Sequence, residues 1–264
     1  MLDCRCSRWN RQNYKNYYTM KKIATILAIL AVSYSVRAAD ATVAAPSPAY
    51  TVSTDFTYAS EYVFRGQKQT NAAFQASAEV GYKEIYGGIW TNQPLHSTDN
   101  NEVDLYIGYD FALQNDWKID TGLTSYNYPE TKTLGGNTGL STYESYLGLT
   151  GGNFRGLTPS VYGYYDWKLD TYTLQSSVGY SFPLKQIGTS IDFSLTYGYA
   201  ANTGSYGSGH PAGNYWGAGV TIPYQLATNA KITGGLQYAG NDEDLTGYGE
   251  SYKLYYTIGL TLGF

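Results

Sequence analysis

Between Thr51 and the last residue, bulky apolar side chains recur at every second position in one segment after another, with turns and polar loops between them. The final stretch, SYKLYYTIGLTLGF, places Leu254, Tyr256, Ile258, Leu260, Leu262 and Phe264 on one parity. Lys253, Tyr255, Thr257, Gly259, Thr261 and Gly263 fall on the other. A period of two is the mark of a strand with one apolar face. The same alternation predicts twelve strands, near 51–65, 72–82, 84–91, 102–111, 117–126, 142–150, 158–166, 171–182, 189–199, 214–223, 229–238 and 252–264. Nothing in this region has a convincing helical period.

The apolar parity carries no charge. It reads Val52, Phe56, Tyr58, Tyr62, Phe64 in the first segment and Val103, Leu105, Ile107, Tyr109, Phe111 in the fourth. A lipid-facing Lys or Arg at the midplane costs about 2–4 kcal/mol, so such a face suits a bilayer. A soluble sandwich also keeps one face uncharged, so two further patterns decide. Aromatic residues collect near segment ends, among them Tyr62 and Phe64, Tyr82, Trp117, Tyr143, Tyr180, Phe182, Trp216 and Tyr224, where interfacial girdles belong. The second parity is rich in Gly, Ser and Thr with sparse charge, unlike a soluble surface. A tilted strand of about 10 residues at about 3.3 Å per residue spans roughly 25 Å, the height of an apolar membrane band.

Connections alternate in length. ALQND, GGNFRG, PLKQIG and PYQLATN are short; NQPLHSTDNN, NYPETKTLGGNTGLST, ANTGSYGSGHPAGN and AGNDEDLTGYGES are long, with DWKLD a short exception on the long side. The pattern predicts an all-β fold over residues 51–264: a transmembrane antiparallel up-and-down β-barrel of about 12 strands, with short periplasmic turns and longer extracellular loops. Closure leaves no unpaired backbone in hydrocarbon.

Ahead of the strands, Met20-Lys21-Lys22, the apolar run Ile23–Val32 and the small residues Val36 and Ala38 read as a secretory signal peptide over 20–38. Residues 1–19 read as a start-site artefact and 39–50 as a short linker. Both cysteines, Cys4 and Cys6, fall in the first piece, so the expected mature chain has no thiol chemistry or disulfide framework. The formal net charge of −4 indicates no nucleic-acid partner. The expected partners are outer-membrane lipid and lipopolysaccharide, the barrel-assembly machinery and small solutes, and the expected location is the bacterial outer membrane.

Function in such a barrel belongs to the inward parity. It comprises Asp55, Glu61, Arg65, Glu79, Glu102, Asp104, Asp110, Lys118, Asp120, Glu144, Asp192, Lys231 and Lys253. Acids exceed bases, which in a watery lumen favours cations. Eight strands enclose a lumen filled by side chains and sixteen to eighteen leave an aqueous channel, so twelve predicts a small or partly occluded pore.

Catalytic signals are weak. The two histidines, His96 and His210, fall in long polar loops. The acidic clusters STDNNEVD and GNDEDL lack the glycine and terminal Glu of an EF-hand loop. GGNFRG and LGGNTG do not join a strand to a helix, so they read as turns. No cofactor, metal site or enzymatic activity is expected.

SEYVFRGQKQTNAAFQASAEV resembles the opening of the TorF-family porins, bacterial outer-membrane barrels of uncertain function, in which a strand ends in a Tyr-x-x-Arg-Gly-like block. YGGIWTNQ, NEVDLYIGYDF, SYNYPE and YESYLGL follow in the family's order, so the resemblance covers about 53–150 well and the rest loosely. Lys68 departs from the family's Ser-Gln-Thr-type run. The resemblance implies an outer-membrane barrel with a pore function and supplies no catalytic residue. The leading expectation is a porin-like channel for small solutes. The alternatives are a closed structural or adhesive barrel acting through its loops, and an outer-membrane hydrolase. The terminal strand, with Phe264, Leu262 and Leu260, resembles the signal read by the assembly machinery.

Overall fold

The structure, a computed structural model, describes residues 50–96, 99–132, 138–202, 212–242 and 251–264. The expected signal peptide, both cysteines and His210 lie outside the described residues.

Twelve strands close into an antiparallel barrel. They are β1 (Tyr50–Ala59), β4 (Ala73–Tyr82), β5 (Ile85–Pro94), β6 (Glu102–Ala112), β7 (Lys118–Lys132) and β8 (Thr138–Thr150), followed by β9 (Leu157–Asp166), β10 (Thr171–Leu184), β11 (Thr189–Asn202), β12 (Gly213–Ala227), β13 (Ala230–Asn241) and β14 (Ser251–Gly263). Two further strands, β2 (Tyr62–Phe64) and β3 (Gln67–Thr70), pair only with each other. Each wall strand pairs with its neighbours in sequence, and β1 pairs back onto β14 with Phe56 opposite Leu260 and Thr54 opposite Leu262. Val52 and Phe264 complete this ladder through two backbone hydrogen bonds of 3.1 and 2.8 Å.

Both ends of the barrel lie on one rim, called here the terminal rim. Its turns are the short ones, beginning with the two residues Lys83 and Glu84, and the far rim carries the longer links. The expected alternation of connections holds in outline: the Trp167–Asp170 turn on the far rim is short, as expected, while the link between β7 and β8, residues 133–137, is short against expectation. There the Asp166 carboxylate accepts the Lys168 and Leu169 N–H groups at 2.9 and 2.8 Å.

The expected strands are recovered with two kinds of correction. Several run further toward the far rim than the alternation indicated: β7 reaches Lys132 and β8 begins at Thr138, so much of the expected loop there is wall. The first segment, expected as one strand over 51–65, ends at Ala59. Tyr62 and Phe64, expected on the outer apolar face, are 8% and 2% exposed and lie inside the barrel.

The outer parity otherwise matches expectation. Leu105, Ile107, Leu123, Leu147, Leu195 and Leu236 stand out from the wall, Leu147 at 61% exposure. No charged residue occupies the outward positions along the middle of the described strands. A belt this large, apolar and continuous is unlike the surface of a soluble monomer.

Inside, tyrosines face glycines across the strand ladder. Tyr106 lies opposite Gly88, Tyr86 opposite Gly108, Tyr146 opposite Gly122, Tyr162 opposite Gly148 and Tyr215 opposite Gly198. In every case a side chain on the glycine would run into the ring. The rings therefore lie back on the wall over residues with no side chain to obstruct them, which covers glycine backbone.

Candidate functional site: a hairpin across the lumen

The feature that shapes the lumen is the link between β1 and β4. The chain leaves the wall after the facing pair Ala59 and Ala73, both almost fully buried, where small side chains let two strands pass. Ser60 holds the departure point: its N–H donates to the Tyr256 carbonyl and its hydroxyl accepts the Tyr256 N–H, each at 2.9 Å. β2 and β3 then form a hairpin with Phe64 paired to Gln67. The two turn residues, Arg65 (φ 44) and Gly66 (φ 74), are both left-handed, as a tight type I′ turn requires. Gly66 is needed twice over, because a side chain there would strike the Gly240 carbonyl and the Tyr215 Cβ.

The hairpin folds inward, and its tip is anchored on two sides. The Arg65 guanidinium forks onto Glu144 of β8, on the far side of the ring from β1, with both N–O distances 3.0 Å. Arg65 also sits over the Tyr164 ring at 4.6 Å, and the Tyr126 hydroxyl donates to Glu144 at 2.9 Å. From the opposite wall, the Asn241 side-chain amide of β13 donates to the Gly66 carbonyl. Between these anchors, Tyr62 and Phe64 pack with Trp90, Tyr126 and Tyr128 into an apolar cluster inside the barrel. At the hairpin base Lys68 pairs with Glu61 at 2.7 Å. Toward the far rim, much of the lumen is thus filled by the chain itself.

The lumen toward the terminal rim differs. Glu79, Asp110, Asp120 and Asp192, each near a short turn, and Asp55, midway along β1, are only partly buried and distribute carboxylates around the ring. Each accepts hydrogen bonds or an ion pair that fixes it. Tyr86 and Tyr162 donate to Asp120 at 2.6 and 2.9 Å, and Tyr106 donates to Glu79 at 3.0 Å. Thr57 and Thr261 donate to Asp55, Ser181 donates to Asp192, and Lys118 pairs with Asp110 at 3.0 Å. Along β10–β14, by contrast, the inner face is mostly Ser, Thr and Gly, for example Ser177, Thr196, Gly219 and Thr233. That arc has little side-chain bulk.

The residues expected to line the lumen therefore fall into separate groups. The five carboxylates just named form one. Glu102, Asp104 and Glu144 form another, buried beside the hairpin. Lys231 and Lys253 lie on the inward parity of β13 and β14. Two positions need correcting. Glu61 is not on the wall but at the hairpin base, and Arg65 reaches the lumen from a turn rather than from a strand. Both errors arise from extending the first strand past Ala59. Asp166, 1% exposed at the end of β9, is absent from the expected lining set although the expected strand 158–166 includes it, because it is also the first residue of the DWKLD turn. Among the described residues, no three or more His, Cys, Asp or Glu side chains gather into a metal site. His96 is exposed on the link between β5 and β6.

Comparison with known proteins agrees with this architecture. The structure is similar to the KdgM porin at 13% identity and a TM-score of 0.54, over 80% of this chain and 99% of that one. It is also similar to the KdgM porin in complex with disordered oligogalacturonate, at 11% identity and a TM-score of 0.51, over 81% of this chain and 99% of that one. At such identities the likeness shows the fold. No curated protein matches the sequence. The family described as "Bacterial protein of unknown function (Gcw_chp)" matches residues 43–262, and the TorF name suggested by the motif blocks is not carried by this match. With nearly the whole barrel inside the matched region, the chain belongs to the Gcw_chp family.

Proposed function

We propose that the protein is an outer-membrane channel for small solutes, with its terminal rim in the periplasm and the hairpin as its constriction. One observation carries this reading. An uncharged apolar belt encloses an inner face that carries carboxylates, lysines and hydroxyls. A barrel built solely as a membrane anchor has no need of an inner ring of carboxylates. The hairpin narrows the lumen, and the Ser, Thr and Gly arc of β10–β14 leaves a way past it.

The carboxylates near the terminal rim support cation preference, because rings of Asp and Glu concentrate cations in a narrow pore. They also separate this chain from a ligand of its structural relative. Oligogalacturonate is a polyanion, and a lumen with surplus negative charge disfavours it. The solute is therefore not transferred with the fold. The test is a planar-bilayer recording under a salt gradient, comparing wild type with the combined variant Asp55→Asn, Glu79→Gln, Asp192→Asn. The expected result is a reversal potential that moves toward zero cation preference in the variant. An unchanged reversal potential would reject the carboxylates as the selectivity element.

A second reading, a closed barrel acting through its far-rim loops, is favoured by the apolar cluster packed inside the lumen. It differs in one outcome: such a barrel stays silent in the same recording.

The terminal strand is assigned to assembly. Phe264 is 66% exposed and holds the last rung of the β1–β14 ladder, with Leu262 and Leu260 on the same parity. Deleting Phe264 is expected to lower the amount of folded barrel in outer-membrane fractions while leaving the conductance of surviving barrels unchanged. Normal membrane levels would remove the residue from that role.

A further inference from the structure

Behind the hairpin, the charges do not balance. Arg65 is committed to Glu144 through both terminal nitrogens. That leaves Glu102 and Asp104, two residues apart on the same face of β6, without a basic partner at ion-pair distance among the described residues. Both are buried, at 3% and 1% exposure. Glu102 accepts a hydrogen bond from the Tyr128 hydroxyl at 3.1 Å, and the Tyr62 hydroxyl of the hairpin also meets it. Asp104 is different. Neither of its carboxylate oxygens accepts a hydrogen bond of normal geometry, although both are shut off from solvent; the Asn127 N–H and the Glu102 carboxyl are its nearest polar neighbours.

An ionised carboxylate in such a place is strongly unfavourable unless something positive compensates it. The two Asp104 oxygens, the adjacent Glu102 carboxylate and the aromatic hydroxyls beside it form an all-oxygen donor set. Such sets suit hard cations such as calcium, whose coordination is flexible and is readily completed by water. The charge left over by Glu102 and Asp104 equals that of one divalent ion.

We infer that Glu102 and Asp104 bind a single divalent cation of the calcium class between β6 and the hairpin. Because Tyr62 belongs to the hairpin and Glu102 to the wall, the ion ties the constriction to the barrel. The inference does not depend on whether the barrel conducts.

Terbium is a suitable probe, because it occupies calcium sites and emits when a nearby indole is excited. Trp90 lies directly opposite Asp104 across the β5–β6 ladder. The full-length barrel, purified in detergent, is titrated with terbium while indole is excited. Saturable emission that calcium displaces is expected in wild type, and loss of that emission is expected in Asp104→Asn, which keeps all the loop acids. In parallel, calcium is expected to raise the melting temperature of the wild-type barrel relative to chelator. Equal emission from wild type and Asp104→Asn would overturn the inference by placing the ion in the loops. No emission together with no calcium-dependent melting shift would also overturn it, leaving a proton shared by the two carboxyls. If Asp104→Asn fails to fold, Glu102→Gln takes its place in the titration: loss of the emission is again expected, and unchanged emission would overturn the inference.

Discussion

Replacing Arg65 by alanine is expected to release the hairpin tip and raise the size limit of solutes that pass the barrel. The substitution removes both arms of the fork and leaves Glu144 buried with only the Tyr126 hydroxyl for support. Breaking a buried ion pair from one side costs about 3–5 kcal/mol. A two-stranded hairpin has little stability of its own, so the inward position rests on its anchors and on the apolar cluster. Losing the main polar anchor shifts the hairpin toward the far-rim opening. Arg65→Lys is expected to resemble the alanine variant, because an ammonium cannot reproduce the planar two-point contact or its stacking on Tyr164. The measurement is swelling of proteoliposomes in sugars of increasing size. If the size limit is the same in wild type and Arg65→Ala, the fork is not what holds the constriction.

The second large effect concerns the outer belt. Leu195 and Thr196 are neighbours in the middle of β11 and point to opposite faces, Leu195 being 59% exposed. Leu195→Arg is expected to destabilise the barrel in lipid vesicles by about 2–4 kcal/mol, the cost of a cation facing hydrocarbon at mid-depth. Thr196→Arg places the same charge in the lumen and is expected to leave folding nearly intact. Urea titration of vesicle-folded protein separates the two. Similar losses in both variants would mean that the outer face does not meet lipid.

The barrel was legible in the sequence because both physical demands on its strands leave period-two traces. Lipid keeps one parity uncharged, and the lumen draws charge and hydroxyls to the other. The rungs of the last strand, such as Leu260 against Phe56, follow directly. The hairpin was hidden by the same logic. Tyr62 and Phe64 continue the parity of Phe56 and Tyr58, so the alternation passes smoothly from wall to hairpin. One signal marked the change. Tyr62, Val63 and Phe64 are three successive apolar residues, a run that indicates burial on both faces, and all three are buried. Arg65-Gly66 supplied the turn, yet it was read as the end of a wall strand. The Glu144 fork lies seventy-nine positions away in sequence, and nothing local announces it. The glycine partners of the tyrosines were equally invisible, since they depend on register between strands. Asp166 escaped for a simpler reason: it is both the last rung of β9 and the cap of a tight turn, and a carboxylate that opens a turn reads as solvated even at the end of an expected strand.

The most direct test of the account compares single-channel conductance in planar bilayers for the wild-type barrel and for one in which residues 60–72 are replaced by a short glycine-serine turn. Small, defined steps are expected from wild type and markedly larger ones from the replaced form, because the hairpin occupies the path between the two rims. Silence from both proteins, with each shown to be folded, would contradict a channel; equal steps from both would contradict the hairpin as its constriction.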